Sequence, residues 1–114
     1  MSNPRTFYNC RLNRLIDADS ASIVFDVGFY VSTTVTCRLN GLDSPERFTT
    51  EGKAATAFVA HWLERHPLFN VVVEKVPEKF GRWLVEIVSP DGASLNSAML
   101  AAGHAKPYDG GKRT

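Results

Sequence analysis

The shortages of this 114-residue chain are its first guide. Two cysteines, Cys10 and Cys37, are too few for a disulfide framework. Both fall in strand-like stretches and read as buried, reduced thiols; a disulfide is open to them only if their strands are neighbours. No apolar run extends beyond a few residues, so nothing is long enough to cross a bilayer as a helix, and no membrane partner is expected. Met1-Ser2-Asn3-Pro4-Arg5 leads into a strand-like segment rather than an apolar signal core, so a cytoplasmic protein is expected. Neither charge sign dominates. Thirteen Lys and Arg against 12 Asp and Glu give a net charge of +1, without the basic excess that announces a nucleic-acid binder. Arg11 and Arg14, and then Lys106, Lys112 and Arg113, still cluster into local basic patches or solvated faces. Internal repeats and low-complexity linkers are absent. His61, His66 and His104 have no zinc-site spacing and read as surface residues.

What is present fits one compact domain. Hydrophobic residues make up 44% of the sequence, enough for a single core over residues 1–114, centred on about 5–106 with 107–114 as a tail. Residues 7–16 alternate imperfectly and read as a strand closed by Asp17-Ala18-Asp19-Ser20. Residues 21–27 read as its hairpin partner, and residues 30–39, rich in Val and Thr, as a third strand. Thr49 or Thr50 can cap a helix whose apolar positions Ala55, Phe58, Val59, Trp62 and Leu63 recur at three and four residues; Pro67 ends it. Residues 69–73 form a strand without alternation, hence central or buried on both faces. A turn at 76–81, a fifth strand at 83–88 and a short helix after Ser94 that stops at Gly103 complete the pattern. The order β-β-β-α-β-β-α, mainly β with two to three helices (α+β), is that of a five-stranded OB-type Greek-key barrel.

Chemistry concentrates in Arg38-Leu39-Asn40-Gly41-Leu42-Asp43-Ser44-Pro45-Glu46. A guanidinium and two carboxylates sit within nine residues at the end of an apolar strand. A hard cation and a phosphate would together satisfy such a set, oxygens serving the cation and the Arg fork the phosphate. Asp17 and Asp19 lie upstream at a hairpin, and Phe80-Gly81-Arg82 downstream. Each alone has a simpler reading as turn chemistry. Their coincidence across three separated loops weakens that reading.

Taken together, Leu15-Ile16-Asp17-Ala18-Asp19-Ser20, Arg38 to Glu46, Gly52-Lys53-Ala54-Ala55, Phe80-Gly81-Arg82 and Leu95-Asn96 to Gly103 resemble the staphylococcal-type thermonuclease family. The likeness runs from about Arg11 to Lys106 in the family's order. It implies a five-stranded OB-type barrel and a calcium-dependent phosphodiesterase, an endonuclease acting on DNA, preferably single-stranded, and on RNA, with little sequence preference. By position it implies that Asp19 and Asp43 ligate calcium, with Mg²⁺ or Mn²⁺ as alternatives, and that the Ser44 carbonyl assists. Glu46 would orient or deprotonate the attacking water; Arg38 and Arg82 would grip the scissile phosphate. That division suits the chemistry, because hydrolysis adds negative charge to an anionic centre and planar guanidiniums meet it well. Lys79, Phe80 and Tyr108 are candidate substrate contacts, Tyr108 by stacking on a base. Asp17 is a candidate second layer behind the metal. The chain departs from the family pattern at Ala18, Ser20, Ser44 and Phe80, and in a short 46–52 loop. A monomer is expected. The competing expectation is a non-catalytic OB-type module that binds nucleic acid or protein.

Overall fold

A computed structural model describes residues 5–75 and 81–108. The elements run β1 (Arg5–Asp17), β2 (Ser20–Asp26), β3 (Ser32–Leu39), β4 (Leu42–Asp43), α1 (Thr50–Arg65), β5 (Phe69–Lys75), β6 (Trp83–Val88), α2 (Leu95–Ala101) and β7 (Lys106–Pro107). Five strands close into a barrel in the order β1-β2-β3-β6-β5, and β4 pairs with β7 beside it. The result is a compact α+β domain with two helices among the described residues.

The long first strand explains the closure. Its first half pairs with β5 and its second half with β2, so one strand serves two neighbours. The change of partner is made through register shifts, with Asn9 in the left-handed region at φ 57°. Such bulges bend and coil a strand, which a small barrel requires. A short parallel pairing of Cys37, Arg38 and Leu39 with Trp83, Leu84 and Val85 completes the ring.

Inward residues alternate along the strands: Ile23 and Phe25 on β2, Cys37 and Leu39 on β3, Val85 and Ile87 on β6, all buried. Phe69 and Val71 are buried on β5, whereas Asn70 and Val72 are only partly covered. Of the two alternatives for this strand, it is central, paired with both β1 and β6, and not covered on both faces, because each barrel strand has an outer surface. Ala55, Val59, Trp62 and Leu63 of α1, with Leu95 and Met99 of α2, complete the core. The cysteines are free thiols on strands separated by β2, so the neighbour condition for a disulfide is not met. Burial pushes the Cys37 thiol up to about 12 and that of Cys10 to about 11, the latter helped by Asp26.

Thr49 caps α1, its hydroxyl accepting from the Gly52 amide, and Ser94 caps α2 in the same way from Ser97. Buried Asn96 ties α2 to the barrel. Its Oδ1 accepts from the Ile87 amide at 3.1 Å, and its Nδ2 donates to the Asn40 and Val85 carbonyls at 3.0 and 3.1 Å. Asn96→Ala strands a buried amide and a carbonyl, and about 2–3 kcal/mol of stability should be lost, read as a lower urea midpoint at unchanged m-value.

Three details differ from the sequence reading. The third strand begins at Ser32 rather than at residue 30, because Phe29 and Tyr30 both turn at positive φ. Residues 42 and 43 form a strand with Lys106 and Pro107, so the first residues of the expected tail are part of the folded structure. His66 and His104 are not open surface residues: His66 lies against Trp62 at 4.1 Å and His104 against Phe58 at 4.9 Å. The 76–80 part of the expected turn, Lys79 and Phe80 included, and most of the tail lie outside the described residues.

Candidate functional site

Strand ends bring the sequence-predicted residues together. The tight β1–β2 turn places Asp19 beside the end of β3, where the Leu39 amide donates to the Asp19 carbonyl at 2.8 Å. From there β3 delivers Arg38, and the turn at Asn40 and Gly41 (φ 85°) folds β4 back so that Asp43 faces the same point. Nη2 of Arg38 lies 3.5 Å from Asp19 Oδ2 and 3.2 Å from Asp43 Oδ1. It also donates to the Leu42 carbonyl at 3.3 Å. The side chains are 13% exposed for Arg38, 12% for Asp19 and 23% for Asp43, so this is a largely desolvated cluster in which one cation holds two anions.

Around it lies a second layer of contacts. The Ser44 amide donates to Asp19 Oδ2 at 3.3 Å. The Ser20 hydroxyl donates to Asp19 Oδ1 at 3.3 Å and accepts from Arg82 Nη1 at 3.0 Å, which links the downstream arginine to the acidic pair. The Tyr108 ring lies under the Arg38 guanidinium, 5.4 Å from ring centre to Cζ, and its amide donates to the Gly41 carbonyl at 2.9 Å. Ser44 meets the acidic pair through its N–H.

An open cleft of about 1580 Å³ adjoins the cluster. Asp17, Asp19, Asp43, Glu46 and Glu51 line it against Arg47 and Lys106, so its charge is predominantly negative. Tyr108 and Phe48 supply aromatic walls. Arg38 and Arg82 do not line this cleft. Glu46 is exposed, and its carboxylate makes no hydrogen bond or ion pair among the described residues. Its carbonyl, by contrast, is held by the Thr49 amide and hydroxyl at 3.1 and 2.7 Å. No protein-family model matches the chain, and no curated protein matches it.

The donor set open to a cation is thus Asp19 and Asp43; among the described residues no three His, Cys, Asp or Glu side chains gather as ligands. Two carboxylates suit a hard cation that keeps much of its water and takes phosphate oxygens for other positions. Asp17 stands one step away; its Oδ1 lies 3.5 Å from Arg47 Nη1 without a hydrogen bond to any of the described residues. Arg47 also donates to the Ile16 carbonyl at 3.3 Å and so fastens the Glu46 loop to the end of β1. Sequence reading missed Arg47, Phe48 and the bridging role of Ser20. The only signal for the first two is their place directly after Glu46. Ser20 is a bridge because its hydroxyl meets both Asp19 and Arg82, residues far apart in the chain.

Proposed function

We propose that the chain is a metal-dependent nuclease of the thermonuclease type, hydrolysing phosphodiester bonds of DNA and RNA, with a barrel of the OB-type Greek-key order. One observation carries the reading: Asp19 and Asp43, far apart in sequence, converge on a single nitrogen of Arg38 at the edge of a cleft that Glu46 also lines. A structural ion pair needs one carboxylate per guanidinium. Here two carboxylates meet one guanidinium nitrogen, Arg82 reaches the same pair only through Ser20, and the Glu46 carboxylate beside them makes no hydrogen bond or ion pair among the described residues.

The electrostatics favour a cation as well. A cleft lined by five carboxylates against two basic side chains repels a polyanion unless it is neutralised. Calcium, or magnesium or manganese, held by Asp19 and Asp43 would supply that charge and lower the pKa of bound water. Glu46, which lines the cleft, would accept the proton of the attacking water or hold it in line. Arg38 hydrogen-bonds only through Nη2 among the described residues, which leaves Nη1 and Nε to meet a phosphate. Arg82 adds positive charge through Ser20, electrostatically rather than as an acid.

The test is hydrolysis of denatured DNA in calcium, with chelator controls and a panel of magnesium and manganese. Binding without cleavage under every metal would instead make the chain an OB-type binding module. A second readout is independent of turnover. Calcium at 100 times its dissociation constant should stabilise the fold by about 2.7 kcal/mol, seen as a rise in melting temperature that Asp43→Asn removes.

A further inference from the structure

Of the large hydrophobic side chains exposed among the described residues, Phe48 alone lines the cleft. It is 78% exposed, outside the core, and has no part in the hydrolysis described above. Exposure alone says little, since single apolar side chains are common on protein surfaces. The way this ring is held says more.

Both chain neighbours of Phe48 are fixed. Thr49, which follows it, caps α1 and donates to the Glu46 carbonyl through its amide and its hydroxyl. Arg47, which precedes it, donates to the Ile16 carbonyl at 3.3 Å and lies 3.5 Å from Asp17 Oδ1. The same guanidinium sits over the Phe48 ring, its Cζ 4.7 Å from the ring centre. One ring face is thus backed by a cation that is itself tied to the end of β1. At 78% exposure the opposite face is left open. Arg38 and Tyr108 repeat the arrangement in the same cleft, again with the arginine tied to aspartates.

Charge narrows what such a ring can meet. Asp17, Asp19, Asp43, Glu46 and Glu51 outnumber Arg47 and Lys106 around the cleft, so a phosphate chain gains little from the walls themselves. Stacking on an aromatic face is indifferent to that charge, and it tolerates any base because every base has a π-face. A ring held in place beforehand also loses little freedom when a ligand lies on it.

We propose that Phe48 is a base-stacking platform, on which an unpaired nucleobase beside the cleaved phosphate lies against the ring face opposite Arg47. The inference rests on the nuclease reading of the cleft and adds the origin of a strand preference. Inside a duplex a base is covered on both faces by its neighbours, and it must leave the stack before it can reach Phe48. A strand without a pairing partner meets that condition at less cost. Phe48 therefore favours single strands over duplex. Arg47 is the positioning residue that holds the ring, with Asp17 behind it.

Binding without turnover tests this, by fluorescence anisotropy in calcium on a Glu46→Gln background. Two labelled probes of equal length are compared: an oligothymidylate, and an abasic deoxyribose-phosphate oligomer that carries the same backbone charge without bases. Phe48→Ala should weaken oligothymidylate binding by about 5–150-fold and leave the abasic oligomer unchanged. The melting temperature should stay, because the ring is exposed and Arg47 keeps its contacts to Ile16 and Asp17. Phe48→Trp should retain binding. Phe48→Leu, apolar but without a π-face, should behave as the alanine variant. With Glu46 intact, Phe48→Ala should raise KM on denatured DNA at unchanged kcat, and the ratio of kcat/KM on denatured to duplex DNA should fall. Equal losses on both probes, no loss on oligothymidylate, or full binding by Phe48→Leu would overturn the proposal. A chain that binds oligothymidylate through Phe48 yet cuts under no metal removes the nuclease reading and keeps the platform. Cleavage that ignores Phe48→Ala does the reverse.

Discussion

Glu46→Gln is expected to slow calcium-dependent hydrolysis of denatured DNA by about 10²–10⁴-fold, the usual contribution of a positioned base. The melting temperature should not move. Glu46 is exposed and its carboxylate bonds to nothing among the described residues, so the fold has no use for its charge. The loop is held instead by its backbone, through the Glu46 carbonyl and Thr49. The substitution therefore separates chemistry from stability, which Arg38→Ala cannot do. Removing Arg38 leaves Asp19 and Asp43 facing each other with little solvent, and breaking a buried pair costs about 3–5 kcal/mol. Rate loss in that variant would mix unfolding with lost phosphate contact. Calcium should restore much of its stability, because the cation takes up the same two carboxylates. If Glu46→Gln cleaves at the unaltered rate, Glu46 does not handle the water, and the proposed division of roles fails there.

The same comparison shows what the sequence could and could not carry. Strand and helix positions were legible because each depends on local signals: alternation on β2 and β6, the apolar stripe on α1, and the caps at Thr49 and Ser94. The site's membership was legible because Asp19, Arg38, Asp43 and Glu46 all fall at strand ends, where turn residues and charges stand out. Their mutual geometry was not. Arg38 looked like a phosphate ligand, and only the meeting of the β1–β2 turn, the end of β3 and β4 shows that it lies between two carboxylates. Likewise the docking of Lys106 and Pro107 on β4 depends on a pairing more than 60 residues apart in sequence, which no local pattern encodes. The left-handed turn at Phe29 and Tyr30 was hidden for the opposite reason. Local propensity assigned Tyr30 and Val31 to the strand, and the structure goes against that propensity.

The second large effect is expected at Gly52. In an exposed helix Gly→Ala gains about 1 kcal/mol of propensity, so the substitution looks favourable from sequence. Gly52 stands at the third position of α1, where the Glu46 loop crosses the helix start. A Cβ there would overlap the Glu46 carbonyl oxygen and come within 2.6 Å of its carbon and 2.8 Å of the Arg47 Cα. All three are backbone atoms, so no side chain can swing aside. The loop must move, and the Thr49 cap that shares the Glu46 carbonyl moves with it. Gly52→Ala should therefore lose about 3 kcal/mol or more by denaturant unfolding despite the propensity gain. In the fraction that stays folded, a displacement of Glu46 by about 1 Å should cost on the order of 100-fold in rate. Asp19 and Asp43 lie on other elements, so the calcium-induced rise in melting temperature should persist in this variant. That combination, metal binding kept and turnover lost, distinguishes a displaced Glu46 from a collapsed site. A Gly52→Ala protein as stable and as active as the unaltered chain would mean that the 46–52 loop has room that its backbone packing denies.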